Sequence, residues 1–163
     1  MAKRVVTKIG DIFSVRLDDT HKKYFQYIAN DLTQLNSDVI RCFSEKVPLD
    51  IDLEPSTIVL GNVEFHAHCI TSLGVKLGCW EKIGHLKIEL SSLNILFRDS
   101  NDYGNPNVKK SKDWYIWKIN EGTEQVGELG ERNQSVDIGI IVTPSDIVHF
   151  MRTGSYPFIY PEY

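Results

Sequence analysis

Lys8-Ile9-Gly10-Asp11-Ile12-Phe13-Ser14-Val15-Arg16-Leu17 runs into Asp18-Asp19-Thr20-His21 and then into Lys22-Lys23-Tyr24-Phe25-Gln26-Tyr27-Ile28. Phe13, Val15 and Leu17 alternate with Ser14 and Arg16, the period of two that marks a half-buried strand. The polar tetrapeptide supplies a turn. The segment from Tyr24 to Ala29 carries apolar residues on both faces, as a central strand or one crossing between two layers does. A glycine-led hairpin of this kind opens a small antiparallel β domain.

The rest of the chain extends that reading. Val39-Ile40-Arg41-Cys42-Phe43 is a third strand after the Asn36-Ser37-Asp38 turn. Glu45 to Gly61, punctuated by Pro48 and Pro55, is an irregular crossing segment. Over Val63 to Ile70, Val63, Phe65, Ala67 and Cys69 point one way and Glu64, His66, His68 and Ile70 the other. Leu73 to Trp80, with Gly74 and Gly78, reads as a loop or short strand. Leu93 to Phe97 reads as a strand and Ser100 to Asp113 as a long polar loop. Trp114 to Ile119 is a strand with Trp114 and Trp117 on opposite faces, and Val136 to Val142 is another. Thr143 as cap, Pro144 at the first turn and Asp146 three residues on start a helix. Its stripe is Ile147, Phe150 and Met151, and Gly154 stops it. The aromatic tail Tyr156-Pro157-Phe158-Ile159-Tyr160-Pro161 is expected to pack back. The predicted architecture is α+β: a mostly antiparallel, strongly bent β-sheet or small barrel with a C-terminal helix packed on it.

The 163 residues fit one domain, residues 1–163, and 42% hydrophobic with 25% charged residues is a globular balance. The net charge of −4 argues against a general nucleic-acid binder, which needs a basic footprint. Met1-Ala2-Lys3-Arg4-Val5-Val6 lacks the apolar run of a signal peptide, and no stretch reaches membrane-span length, so no membrane partner is expected. Cys42, Cys69 and Cys79 are odd in number and form no Cys-x-x-Cys pair, which points to free thiols in a reducing, cytoplasmic compartment.

No nucleotide loop or catalytic triad pattern appears, and no cofactor is implied. His66 and His68 share a strand face with Glu64 and form the one spacing that resembles metal ligation, the basis of an alternative reading as a metal-dependent hydrolase. A polar strand side facing solvent or a partner is the plainer account. Cys69 beside His66 or His149 suggests a thiol nucleophile, but the alternation puts Cys69 on the apolar face, where thiols are inert. Asp99-Ser100-Asn101-Asp102 opens like a cation loop, but Tyr103-Gly104-Asn105 lacks the register, and a turn accounts for it. Glu121, Glu124, Glu128 and Glu131 form an acidic run that suits a loop or hairpin. Lys109, Lys110 and Lys112 make the adjacent segment basic. Trp80, Trp114 and Trp117 are core residues, or the lining of a small-ligand-binding β module.

Three elements resemble the bacterial immunity protein twenty-six family, found beside polymorphic toxin genes. They are Ile9-Gly10-Asp11-Ile12-Phe13 with its strand to Leu17, the aromatic strand Tyr24-Phe25-Gln26-Tyr27-Ile28, and Trp80-Glu81-Lys82-Ile83-Gly84-His85 followed by a strand ending in Phe97-Arg98-Asp99. They span residues 8–99, and Gln26 stands where the family often carries glycine. The resemblance implies a non-enzymatic protein that binds and neutralises a cognate toxin domain by shape and charge. Were the toxin a nuclease with a basic cleft, the acidic loops would be its contacts. On that reasoning Asp18, Asp19, Asp99, Asp102, Tyr103, Glu121, Glu124 and Glu128 are the candidate contact residues.

Overall fold

The computed structural model describes residues 3–163; Met1 and Ala2, which begin the basic N-terminus, lie outside the described residues. The opening hairpin forms as read. β1 (Asp11–Arg16) pairs antiparallel with β2 (His21–Asp31), Phe13 opposite Phe25. β3 (Ser37–Phe43), β4 (Val47–Pro48), β5 (Val63–Cys69) and β6 (Glu81–His85) complete a six-stranded antiparallel sheet. Its order is β5-β3-β2-β1-β6, with β4 on β2. Register shifts within the β1–β6, β2–β3 and β3–β5 pairs are bulges, which bend strands. A second sheet has the order β10-β7-β8-β9, from β7 (Leu96–Ser100), β8 (Trp114–Lys118), β9 (Glu124–Gly127) and β10 (Asp137–Ile138). Its β7–β10 pair is parallel. Neither sheet closes into a barrel. The short helices are α1 (Pro55–Ile58), α2 (Thr71–Lys76) and α3 (Glu131–Gln134).

The C-terminal helix α4 (Pro144–Thr153) follows its sequence signals. The Thr143 hydroxyl accepts from the Asp146 amide, Pro144 occupies the first turn, and Gly154 closes the helix at φ +82°. Ile147, Val148 and Met151 bury against Phe13, Val15, Phe25 and Phe65 of the first sheet. Each such side chain contributes about 1.5–3 kcal/mol by leaving water. The tail packs back as expected: Phe65, Phe150 and Tyr156 form an aromatic run with centroid spacings of 4.1 and 4.7 Å.

Three local readings are corrected. Leu73 to Trp80 is neither loop nor strand over its first half, because Leu73 to Lys76 belong to α2. Gly74 there lets the Trp80 indole lie on the helix, since a Cβ at 74 would fall inside that ring. The indole N–H donates to the Thr71 carbonyl at 2.9 Å. The strand placed at Leu93 to Phe97 begins at Leu96, whose partner Lys118 is the last residue of β8, so nothing remains for Leu93 and Ile95 to pair with. The strand placed at Val136 to Val142 is only two residues long, because this segment changes partner midway. Gly139 donates to the Arg98 carbonyl of the second sheet at 2.7 Å, and Val142 donates to the His68 carbonyl of the first at 2.8 Å.

That segment is half of a seam between the sheets. The other half centres on Asp31, the last residue of β2, which is fully buried. One carboxylate oxygen accepts from His68 Nε2 and from Trp117 Nε1, both at 2.9 Å. The other accepts from the amides of Asn120 at 3.1 Å and Gln34 at 3.3 Å. Ile28, Ala29 and Val39 of the first sheet pack there on Phe97 and Trp117 of the second. Gly139 passes so close to Trp117 that a Cβ would overlap its six-membered ring.

Candidate functional site

The turn between β1 and β2 is rigid for a local reason. One oxygen of Asp18 accepts from the Thr20 amide and hydroxyl, each at 2.7 Å, and from the His21 amide at 2.8 Å. The Thr20 hydroxyl, then the two amides, hold the Asp18 carboxyl down to about 2. Arg16 Nη2 meets Asp19 at 3.0 Å, and Arg16 Nε donates to the Asp18 carbonyl at 3.0 Å. Asp18 and Asp19 therefore stand exposed, as predicted, but within an ordered turn.

This turn forms one wall of a groove of about 460 Å³. Gly78 and Cys79, beyond the end of α2, form a second wall, and Ser145, Val148 and Arg152 of α4 a third. A cavity of about 410 Å³ continues it past Arg16 and Cys79 towards Ser14, Val75, Trp80 and Glu81. Gly78 sits at φ +73°, which turns the chain out of α2 and lets Cys79 and Trp80 run under the groove. Val75, Trp80 and Val148 give it an apolar floor. Its charges are of two kinds. Arg16 and Asp19 neutralise each other and Asp18 is held by the Thr20 and His21 donors of its own turn, whereas Arg152 and Glu81 have no ion-pair partner among the described residues.

The polar side of β5 is not a free face. His68 is fully buried beneath the second sheet, 4.2 Å from the Phe97 ring centroid. Burial lowers its pKa in spite of the hydrogen bond to Asp31. His66 Nδ1 and its amide both meet Asp137 at 3.0 Å. Glu64 pairs with Lys23 at 2.8 Å. The three side chains thus share a side of the strand, but each goes to a different partner. Among the described residues no group of three His, Cys, Asp or Glu side chains converges as a metal centre. Cys42 and Cys69 are enclosed in the core, and burial pushes both thiols well up. Cys79 is partly open to the groove.

The acidic candidates divide. Asp99 is no surface contact. It is buried, accepting from Tyr160 at 2.7 Å, Tyr115 at 3.1 Å and the Ser100 amide at 2.8 Å, and burial raises its pKa. Asp102 is half-buried and accepts from the Ser111 hydroxyl at 2.6 Å. The sequence pattern read both as loop acids, whereas the C-terminal tail folds over this end of the second sheet. Tyr103 is partly exposed, its ring 5.2 Å from that of Tyr160. Glu121, Glu124 and Glu128 are exposed on the β8–β9 hairpin, with Lys112 3.3 Å from Glu128. The structure therefore leaves two separate acidic surfaces: Asp18 and Asp19 on the first sheet, and the hairpin glutamates on the second.

All three tryptophans are buried, Trp114 and Trp117 on opposite faces of β8 as predicted. Trp114 packs against Arg98 and Tyr160, and Trp80 lines the groove's inner cavity. Polar residues that organise the molecule carry no local sequence signal: Asp31 and Arg98 each need a partner far along the chain. Asp11 is legible only through its motif. It is fully buried beside His85 and Lys82, each 2.9 Å away. Burial pushes the Asp11 carboxyl up, but the bonds from His85, the Lys8 amide and Lys82 outweigh it and leave it lowered. Among the described residues no helix is long and apolar enough to cross a membrane. Comparison with family models, with curated proteins and with solved structures gives no match for this chain.

Proposed function

We propose that the protein is a non-catalytic immunity protein that binds and neutralises a cognate bacterial toxin domain in the cytoplasm. The observation that carries this reading is the assembly of the three family-like segments into one unit. The first two and the part of the third at residues 80–85 are the adjacent strands β1, β2 and β6, while the strand ending in Phe97-Arg98-Asp99 is β7 of the second sheet. Phe13 stacks on Phe25 at 4.9 Å, and Phe25 meets Trp80 edge-on at 4.9 Å. Asp11 of the first segment holds His85 and Lys82 of the third. Gly10 lies so close to His85 that a Cβ would come within 2.6 Å of its ring. Gln26, in the position where the family often has glycine, donates to the Leu86 carbonyl at 2.9 Å and accepts from Arg41 at 2.9 Å. Segments that interlock in this way form a scaffold that presents loops.

Two further features agree with a binding role. His66, His68, Glu64 and Asp99 are tied into internal bonds, and exposed charge stands on the β1–β2 turn, on the β8–β9 hairpin and at Glu81 and Arg152. The exposed glutamates of the β8–β9 hairpin give the molecule an acidic patch that attracts a toxin with a basic surface at long range. The test is co-expression with the toxin-like domain encoded beside this gene. Growth is expected to be restored, with a stoichiometric complex on gel filtration. Continued killing with the protein present in the soluble fraction refutes the reading.

A further inference from the structure

We propose that the groove between the β1–β2 turn, the end of α2 and α4 is where the partner docks, and that it takes a protruding loop carrying one acidic and one basic side chain. This rests on the immunity reading and adds the location and chemistry of the contact. The groove is open along its length, whereas small-molecule sites enclose most of their ligand. Leu77, immediately before Gly78, is 63% exposed beside it, an apolar side chain with nothing over it. The floor is apolar, and its walls are held in place: α4 by Ile147 and Met151 in the core, and the turn by the hydrogen bonds to Asp18. Preformed pockets with an arginine at the edge are where interface energy concentrates.

The charges name the occupant. Arg16 and Asp19 cancel, and the Asp18 oxygen is taken up by the Thr20 and His21 donors of its own turn. Arg152 at the α4 end therefore awaits a carboxylate, and Glu81 at the β6 end awaits a cation. The hairpin glutamates then act at long range, speeding encounter with a basic toxin without forming the bound contact.

Binding to the adjacent toxin-like domain, measured by surface plasmon resonance together with growth rescue, tests this. Arg152→Glu and Glu81→Lys are expected to speed dissociation at least about thirtyfold each and to abolish rescue. The triple variant Glu121→Lys/Glu124→Lys/Glu128→Lys is expected to slow association at low salt, leave dissociation unchanged and still protect. An acidic partner residue changed to arginine is expected to recover binding to Arg152→Glu. All substituted side chains are exposed, and unchanged thermal midpoints confirm folding. Arg152→Ala and Glu81→Ala repeat the measurement if a reversed charge unfolds the chain. If the hairpin variant loses the complex while the groove variants keep it, the groove assignment is overturned and the immunity reading stands. If the unaltered protein neither binds nor protects, both fall together.

Discussion

Replacing Asp31 with alanine removes the one acceptor that ties four donors from both sheets. His68 Nε2, Trp117 Nε1 and the Asn120 and Gln34 amides all point at its two oxygens. His68 and Trp117 are themselves buried, so water does not replace the lost partner without opening the seam. A hydrogen bond to a charged group contributes about 1.5–3 kcal/mol, and leaving several buried donors unsatisfied at once costs more, about 3–5 kcal/mol here. We take the second figure, because the donors share one carboxylate and do not add. For a chain of this size that lowers the melting temperature by about 6–20 °C. Asp31→Asn keeps one acceptor oxygen but turns an amide towards donors, so it falls between the unaltered protein and alanine. Urea unfolding gives the free energies, and amide exchange locates the damage. Protection is expected to fall first at Leu32 and Asn120, which are joined through the Asn120 side chain at 2.7 Å. The amides of α4, which packs on the far face of the first sheet, keep their protection. A cost below about 1 kcal/mol, or uniform loss of protection, refutes the view of Asp31 as the link between sheets.

Three further outcomes are expected. Gly139→Ala drives a methyl group into Trp117 and is expected to destabilise by about 1–3 kcal/mol with a change in tryptophan fluorescence, while Gly104→Ala, with open space around it, leaves that emission unchanged. His68 is neutral in the fold and its pKa lies below the ordinary 6.5, so the unfolded chain takes up a proton that the fold resists. Stability from this group is therefore complete above about 6.5 and declines as pH falls towards the folded value. His68→Gln is expected to flatten that part of the urea-midpoint profile, and parallel profiles contradict it. Of the three cysteines only Cys79 is partly exposed, so a thiol reagent is expected to label one site rapidly in the native protein and three in urea. Rapid labelling of two or three sites without urea refutes the buried placement of Cys42 and Cys69.

What the sequence made legible was whatever depends on neighbours along the chain. Alternation placed β1 and β5, apolar runs beside turn residues placed β2 and β3, and the cap, proline and glycine of α4 placed a helix to within a residue. The misread stretches are those whose state is decided from far away. Thr71 to Lys76 is a helix on which Trp80 lays its indole at Gly74, and no periodicity in so short a stretch reports that. His68 looked solvent-facing because alternation shows only that it lies opposite Cys69. The second sheet, arriving some thirty residues later, decides that this side is buried. Asp99 was misplaced for the same reason, since its bond to Tyr160 closes a separation of 61 residues. The groove was half legible: the Asp18-Asp19 turn stood out, whereas Arg152 and Glu81 meet it only through the packing of α4 and the pairing of β6 with β1.

The stitch made by residues 137–142 bears on how the chain is produced. A ribosome releases the six-stranded sheet first, with all its ladder partners in hand. Yet the outer backbone of β5 has no cover until Val142 reaches His68, and the apolar face beneath α4 stays wet until Ile147 and Met151 emerge. For roughly half of synthesis the nascent protein thus exposes a paired sheet with an adhesive rim and an uncovered underside. Closure by such sequence-distant segments is slow compared with local folding. Fusions or truncations that delay or delete the last twenty or so residues are thus expected to divert the product into inclusion bodies, even though they leave every strand of the first sheet intact.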